Sequence, residues 1–353
     1  MSGPSVTCAA VTSEPCTLHS QHVRTALTKL CVRWQSAGLA AQNPDGCYVI
    51  AIAPPIFTPM SRPNDAPDET SSDHSGVSTA HENGHFYSPI VNPAELDAAL
   101  LWPEHPDIRG IDFDDTGHER ILRDSFPRFI REYDYPEHLE EKPELQEFYT
   151  RNSQFSWLDS RTMFVLLREW RPRHLIEVGS GFSTLLAADV NRRFLGGSCE
   201  ITCIEPYPRA FLRNGVPGVA RLIEEKVQAV PLGEFTALQA GDILFIDSSH
   251  VAKTGSDVNF LYFEVLPRLA AGVRIHIHDI FLPHDYPREW VLDENRSWNE
   301  QYLLRALLMC SSGFRVIFGC SYAYWRFPDL VRSALAFADG RAFAGGSFWI
   351  ERI

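Results

Sequence analysis

Residues 174–190 read HLIEVGSGFSTLLAADV: a short apolar run, two glycines one residue apart, and the start of an amphipathic stretch. That order predicts a buried strand over 174–178, a tight turn, and a helix over about 183–194. Glycines at 179 and 181 let the backbone turn sharply and approach a ligand with no Cβ in the way, and the helix start offers free N–H groups to it. Such a turn serves a dinucleotide, S-adenosylmethionine (SAM), or simply a tight strand-to-helix connection.

Downstream, short apolar runs alternate with helical ones, the pattern of a parallel α/β sheet wound on both faces. Strands are predicted at 174–178, 201–205, 221–227, 242–247 and 273–279, with helices near 183–194, 208–213, 231–238 and 257–270. A helix at 297–311, a strand at 314–320 and a final strand at 347–352 complete this region, residues 171–353, which the turn marks as the ligand-binding domain. Upstream, 85–170 reads as a mainly helical cap or substrate region that includes the charged stretch HLEEKPELQEF. Residues 54–84, rich in Pro, Ser, Asp and His, read as a flexible linker. Residues 1–53 form a tail with a helix near 21–37 and a short strand at 47–53.

At 353 residues the chain is long enough to bury a sizeable core. A net charge of −13 disfavours nucleic acid and anionic membranes as partners, since phosphate backbones are held chiefly by Lys and Arg, and points to a small-molecule substrate. The eight cysteines include no CxxC pair, which reads as reduced thiols in a cytoplasm. The first residues lack the charged start and apolar run of a secretory signal. No segment approaches the roughly 18 apolar residues of a membrane span. A homo-oligomer is compatible with all of this.

Two carboxylates narrow the ligand. Glu177 stands two residues before the first glycine, a placement that suits a cationic ligand such as SAM, with its sulfonium and amino group. The next strand, ITCIEP, ends in Glu205, where a carboxylate can accept both ribose hydroxyls. The dinucleotide fingerprint wants a third glycine where this chain has Thr184, which disfavours a nicotinamide-dependent oxidoreductase. The remaining cofactor candidates are Gly179, Ser180, Gly181, Ser183 and Asp247.

With IEVGSGFST, ITCIEPYP, GDILFIDSSHVAKTGSDVN and HIHDIFLPHDYP on the page, the chain resembles the class I SAM-dependent methyltransferases over roughly residues 85–353. The resemblance implies a Rossmann-like, seven-stranded, mostly parallel sheet whose last strand runs antiparallel, with SAM over the C-terminal ends of the first strands. In that family pattern a third loop glycine is common; here Ser183 replaces it, and a Ser at a helix start can cap it.

The strand DILFID ends at Asp247, followed by Ser248, Ser249 and His250, and the strand VRIHIHDI brings His276, His278 and Asp279. Strand ends in an open α/β sheet border the ligand crevice. Three readings compete for this cluster. In the first, His250 or His278 is a general base for a substrate hydroxyl or amine. In the second, Asp247, His278 and Asp279 hold a divalent metal, an arrangement that resembles metal-dependent O-methyltransferases except that His278 stands where those enzymes use a carboxylate. In the third, His276 is a buried structural residue bonded to Asp247. Base chemistry is favoured over the metal, and O-methylation over N- or C-methylation. A protein that binds SAM without turning it over is a further alternative. Weaker candidates are Lys253, Thr254 and Asp257 at a helix entry, Tyr87, Ser88, Asn152 and Phe155 ahead of the core, Trp290 and Trp298 in a substrate lid, and Gln228 near the adenine.

Overall fold

The computed structural model describes residues 80–152, 154–335 and 345–353, and the backbone of a two-stranded antiparallel pair, Ala40–Gln42 with Tyr48–Ile50. The helix expected near 21–37 and most of the 54–84 linker lie outside the described residues. The chain divides into two compact units, Met1–Gly76 and Val77–Ile353.

The second unit is built on a seven-stranded sheet. Its strands are β1 (His174–Val178), β2 (Glu200–Ile204), β3 (Arg221–Ile223), β4 (Ile243–Ile246), β5 (Arg274–Ile277), β6 (Phe314–Gly319) and β7 (Phe348–Arg352). Their order in the sheet is β3-β2-β1-β4-β5-β7-β6. The first five run parallel, and β7 inserts antiparallel to both β5 and β6. The sheet is therefore Rossmann-like and mostly parallel, with an antiparallel last strand.

Parallel strands buried on both faces read as unbroken apolar runs, and all four residues of β4, Ile-Leu-Phe-Ile, are buried. Alternation within each strand sends side chains into two cores. Leu175, Ile201, Ile243 and Phe245 pack on one face under helices α1 (Trp157–Trp170) and α2 (Phe182–Phe194). Ile176, Ile204, Leu244 and Ile246 pack on the other. Helix α3 (Glu300–Cys310) precedes β6. Between β6 and β7 come α4 (Cys320–Arg326) and α5 (Pro328–Leu335), neither of which the sequence pattern marked.

Regular structure in the extension before β1 is helical, but less of it than expected. Short turns at Ala98–Leu101 and Asp115–Arg120 lead into a wider helical turn at Ile121–Ser125 and then Phe126–Phe129. The stretch 138–148 is not helical. Pro143 interrupts it, and the N–H groups of Thr150 and Arg151 turn back onto the carbonyls of Pro136 and Glu137. Among the described residues no helix is long and apolar enough to cross a membrane.

The extension is fastened to the sheet by His118, which is fully buried. Its Nε2 accepts the Gly319 N–H at 2.8 Å and its Nδ1 lies 3.1 Å from the Asp114 carbonyl, so the ring is held neutral with the proton on Nδ1. Burial pushes its pKa below the ordinary value, against the pull of Asp114 and Asp115. The unfolded chain takes up this proton near pH 6.5 while the native state does so only at lower pH, so stability is lost as the pH falls below about 6.5. His118→Leu leaves the Gly319 N–H unpaired and should cost about 1–3 kcal/mol at pH 8. Thermal melts should show that gap between wild type and variant narrowing towards pH 5.

Candidate active site

The turn after β1 is shaped by one close approach. Gly179 takes a left-handed φ of +83°, and a Cβ there would overlap the carbonyl oxygen of Asp247. The neighbouring N–H groups reach the next strand: Gly179 donates to the Ile204 carbonyl at 3.0 Å and Ser180 to Glu205 Oε2 at 3.3 Å. Gly181 differs, because a Cβ there would meet only Gln154 Oε1, at 3.9 Å, on the cavity side.

Glu177 is fully buried beneath this turn. Ser183 Oγ donates to its Oε1 at 2.5 Å and Thr184 Oγ1 to its Oε2 at 2.6 Å, while Thr184 Oγ1 also accepts the Gly181 N–H at 3.1 Å. Burial pushes the carboxyl up to about 7, against those hydrogen bonds. Glu177 is buried behind the turn and is not among the residues that line the cavity. On β1 it faces α2 and ties the glycine turn to that helix. The same bond engages the Ser183 hydroxyl, so Ser183 borders the cavity with its oxygen already in use.

Two cavities, of about 720 and 510 Å³, open along the C-terminal ends of the strands. They share Gly179, Glu205, Tyr207, Asp247, Ser248 and Ser249, so Glu205 stands on the border between them. Its carboxylate also accepts the Tyr207 N–H at 2.8 Å. Gln228 and Lys253 line the smaller cavity, with Gln228 Nε2 donating to the Gly255 carbonyl at 3.0 Å. Asn152 and Phe155 line the larger one. Asn152 spends its amide on its own loop, bonding the backbone of Tyr149 and Phe155. Asp257 holds Ser249 through N–H and hydroxyl bonds of 2.8 and 2.6 Å. Tyr87 and Ser88 line neither cavity.

Beyond the glycine turn, the larger cavity ends at a cluster of acids around one imidazole. His250 is buried and left-handed at φ 59°, and Asp279 is left-handed at φ 55°. Strained non-glycine residues of this kind persist only where surrounding contacts hold them. His250 Nε2 lies 3.4 Å from Asp247 Oδ1 and 3.4 Å from Asp279 Oδ2, and Nδ1 lies 3.0 Å from Glu300 Oε2. Burial alone would lower the pKa of His250, but the hydrogen bonds and charges of Asp247 and Glu300 lift it well above the ordinary value. Burial likewise opposes, and Asp247 and Asp279 outweigh it in raising, the pKa of His278. Burial raises Asp279, while for Asp247 the two histidines overcome burial and lower it.

The convergent potential ligands for a metal are Asp247, His250 and Asp279, whose donor atoms lie within 4.8 Å of one another. This replaces His278 in the expected trio: its Nε2 sits beside the set, 3.6 Å from Asp279 Oδ1. His276 is structural, as expected, but with a different partner. It stacks on Phe245 at 3.7 Å and places Nε2 2.9 Å from Ser347 Oγ, and burial holds it well below its ordinary pKa. Trp298 packs 4.5 Å from the His250 ring, and Arg296 lies between it and Trp290, 4.8 and 4.2 Å from the two rings.

Two buried acids were not legible in the sequence. Glu300, within WNEQYLL, reads as an ordinary acid in a first helical turn. Asp159, on α1, accepts the N–H groups of Gly346 and Ser347 at 3.1 and 2.7 Å. The Gly346 carbonyl in turn accepts the Ile280 N–H at 2.8 Å, so Asp159 steadies the backbone behind Asp279.

Residues 176–280 match a family described as a methyltransferase domain. A protein of Archaeoglobus fulgidus described as uncharacterized is 35% identical over 162 residues, spanning 44% of this chain and 72% of its own. Similar solved structures include a methyltransferase from Geobacter sulfurreducens at 16% identity, covering 57% of this chain and 80% of its own with a TM-score of 0.33. Another is an O-methyltransferase from Bacillus cereus in complex with S-adenosylhomocysteine (SAH), at 14% identity, 68% and 91% coverage and a TM-score of 0.33. The chain belongs to the class I SAM-dependent methyltransferases.

Two variants test this geometry. Gly181→Val adds bulk only toward the cavity, so it should melt within a few degrees of wild type while losing SAH binding in a calorimetric titration. Glu177 concerns stability. Between about pH 4.5 and 7 the unfolded chain releases a proton that the folded carboxyl keeps, so the native state loses roughly 3 kcal/mol as pH rises through that window. Glu177→Gln removes this term, and its stability relative to wild type should improve from pH 5 to 7.5; a constant difference in thermal melts would refute it.

Proposed function

We propose that the protein transfers the methyl group of SAM to a hydroxyl of a small-molecule acceptor, with His250 receiving the hydroxyl proton. One observation carries this reading: a continuous cavity joins the Gly179–Gly181 turn and Glu205 at one end to His250, set among three carboxylates, at the other.

The residues present fit SAM. The open side of Gly181 faces the cavity, so the backbone there admits a ligand group that any larger residue would displace. Glu205 donates nothing when ionised and keeps lone pairs beyond its two backbone bonds, which suits ribose hydroxyls. Asp247, held low in pKa and lining both cavities, supplies negative charge suited to a sulfonium. When bound, SAM supplies an electrophilic methyl on a good leaving group. The protein's own contributions are alignment, exclusion of water and deprotonation. The neutral form of His250 takes the acceptor's proton at Nε2 as the oxygen's electron pair forms the new O–CH₃ bond and the S–CH₃ pair stays on sulfur; because the neighbouring carboxylates raise the pKa of this imidazole, that form gains population as the pH rises, and turnover should climb with pH. Trp290 and Trp298 wall the acceptor side of the cavity. Hydroxyls are the preferred acceptors because they most need a base.

A second reading is favoured by the convergence of Asp247, His250 and Asp279. Those three would hold a divalent cation, which acidifies a hydroxyl when bound. The imidazole in the set favours a transition metal over magnesium. The Glu300 carboxylate on the other ring nitrogen is the outer-shell partner that metal-binding histidines commonly have.

Labelled SAM with a panel of hydroxylated acceptors tests the proposal. Wild type should label an acceptor, and His250→Ala and Asp247→Ala should each fall by about 10²-fold or more. Equal turnover in all three would remove the cluster from the mechanism. Activity that survives dialysis against a chelator supports the base alone, whereas loss restored by Mn²⁺ supports the metal. Saturable NAD binding without SAM binding would end the reading.

A further inference from the structure

We propose that Glu300 is the positioning residue of His250: it keeps a proton on Nδ1 and so makes Nε2 the only ring nitrogen that exchanges one with the acceptor. The inference rests on the reading above for its catalytic meaning. Its geometry stands independently.

Glu300 is the first residue of α3 and is fully buried, although a carboxylate in that position usually faces water. Its Oε2 faces His250 Nδ1 at 3.0 Å, and the buried Tyr262 hydroxyl is its other polar neighbour. Burying an ionisable group is costly, which marks the bond to His250 as one the fold retains for its effect on the ring. A carboxylate only accepts while it is ionised, so the shared hydrogen resides on Nδ1 in both the neutral and the charged imidazole.

The backbone reinforces the same arrangement. The N–H groups of Asn299 and Glu300 both donate to the His250 carbonyl, at 3.1 and 3.2 Å. The Asn299 side chain accepts the Ala252 N–H at 2.6 Å and donates to the Ala252 carbonyl at 3.2 Å. Trp298 covers the ring at 4.5 Å. Three consecutive residues at the start of α3 thus hold His250 by its carbonyl, its ring face and its Nδ1. Such a hold explains how a left-handed conformation is maintained at a non-glycine position. The remaining direction, along Nε2, points between Asp247 and Asp279. Trp298 belongs to the predicted lid, and Asn299 and Glu300 follow directly on it, so the acceptor's cover and the base are fixed by one continuous segment.

The experiment uses full-length protein labelled with ¹⁵N-histidine. Wild type should show a slowly exchanging imidazole Nδ1–H correlation that His250→Gln removes, which assigns it. Glu300→Met fills the volume without an acceptor and should abolish that correlation while the protein still melts cooperatively. Glu300→Gln offers a carbonyl oxygen and should restore it. Survival of the correlation in folded Glu300→Met, its absence from wild type, or its loss in Glu300→Gln would each overturn the proposal. A parallel SAM titration on wild type separates the two claims: failure to bind SAM defeats the transferase reading and leaves the Nδ1 result to stand or fall on its own.

Discussion

The close approach of Gly179 to the carbonyl of Asp247 organises the site, because it fixes the distance between two loops that leave adjacent strands. With no Cβ at 179, the turn after β1 closes directly over the end of β4. The Asp247 N–H meanwhile bonds the Val178 carbonyl at 2.8 Å, so the ladder between these strands runs unbroken to their ends. The candidate site residues then lie along that seam: Glu205 on the next strand outward, His250 three residues beyond Asp247, and Asp279 on the strand that follows. Any larger residue at 179 would push the two strand ends apart and separate the cofactor turn from the acids.

Electrostatics impose the second constraint. Asp247, Asp279 and Glu300 crowd one imidazole in a buried setting, where unpaired charge is expensive. The protein offsets the excess by raising the proton affinity of His250 and His278. A site so rich in carboxylates is prepared for positive charge, and a sulfonium, a protonated imidazole and a divalent cation are three ways to supply it. The catalytic proposal and its metal-assisted variant are therefore two occupancies of one electrostatic environment.

Much of this was legible in the chain. The run of 174–190 announces strand, turn and helix, and the apolar segments that follow place each strand of the sheet to within a few residues. Asp247, His250, His278 and Asp279 could be nominated because strand ends in open α/β sheets border the ligand crevice. The sequence also marks Glu177, but not that Ser183 and Thr184 hold its carboxylate. A strand residue alternates between faces, and which face meets the cavity depends on where α2 packs. The stretch 138–148 carries helix-favouring residues, yet Pro143 within it, and the Thr150 and Arg151 N–H groups that turn back onto Pro136 and Glu137 around it, override that preference. Helices α4 and α5 span only seven and eight residues, too short for a helical period to stand out in the sequence even though Val331, Ala334 and Leu335 form a buried face on α5.

The sequence by itself determined what depends on near neighbours: the sharp turn that only glycine allows at 179, the buried strands written as apolar runs, and the carboxylate at the end of β2. Tertiary structure alone decided which side chains meet. His250 rather than His278 joins Asp247 and Asp279, and Glu300, fifty residues along the chain, reaches the far side of its ring. The physical reason is that local backbone preference and periodicity are properties of a short segment, whereas convergence is set by strand order and by the bonds that tie the start of α3 to His250. No segment carries that information alone.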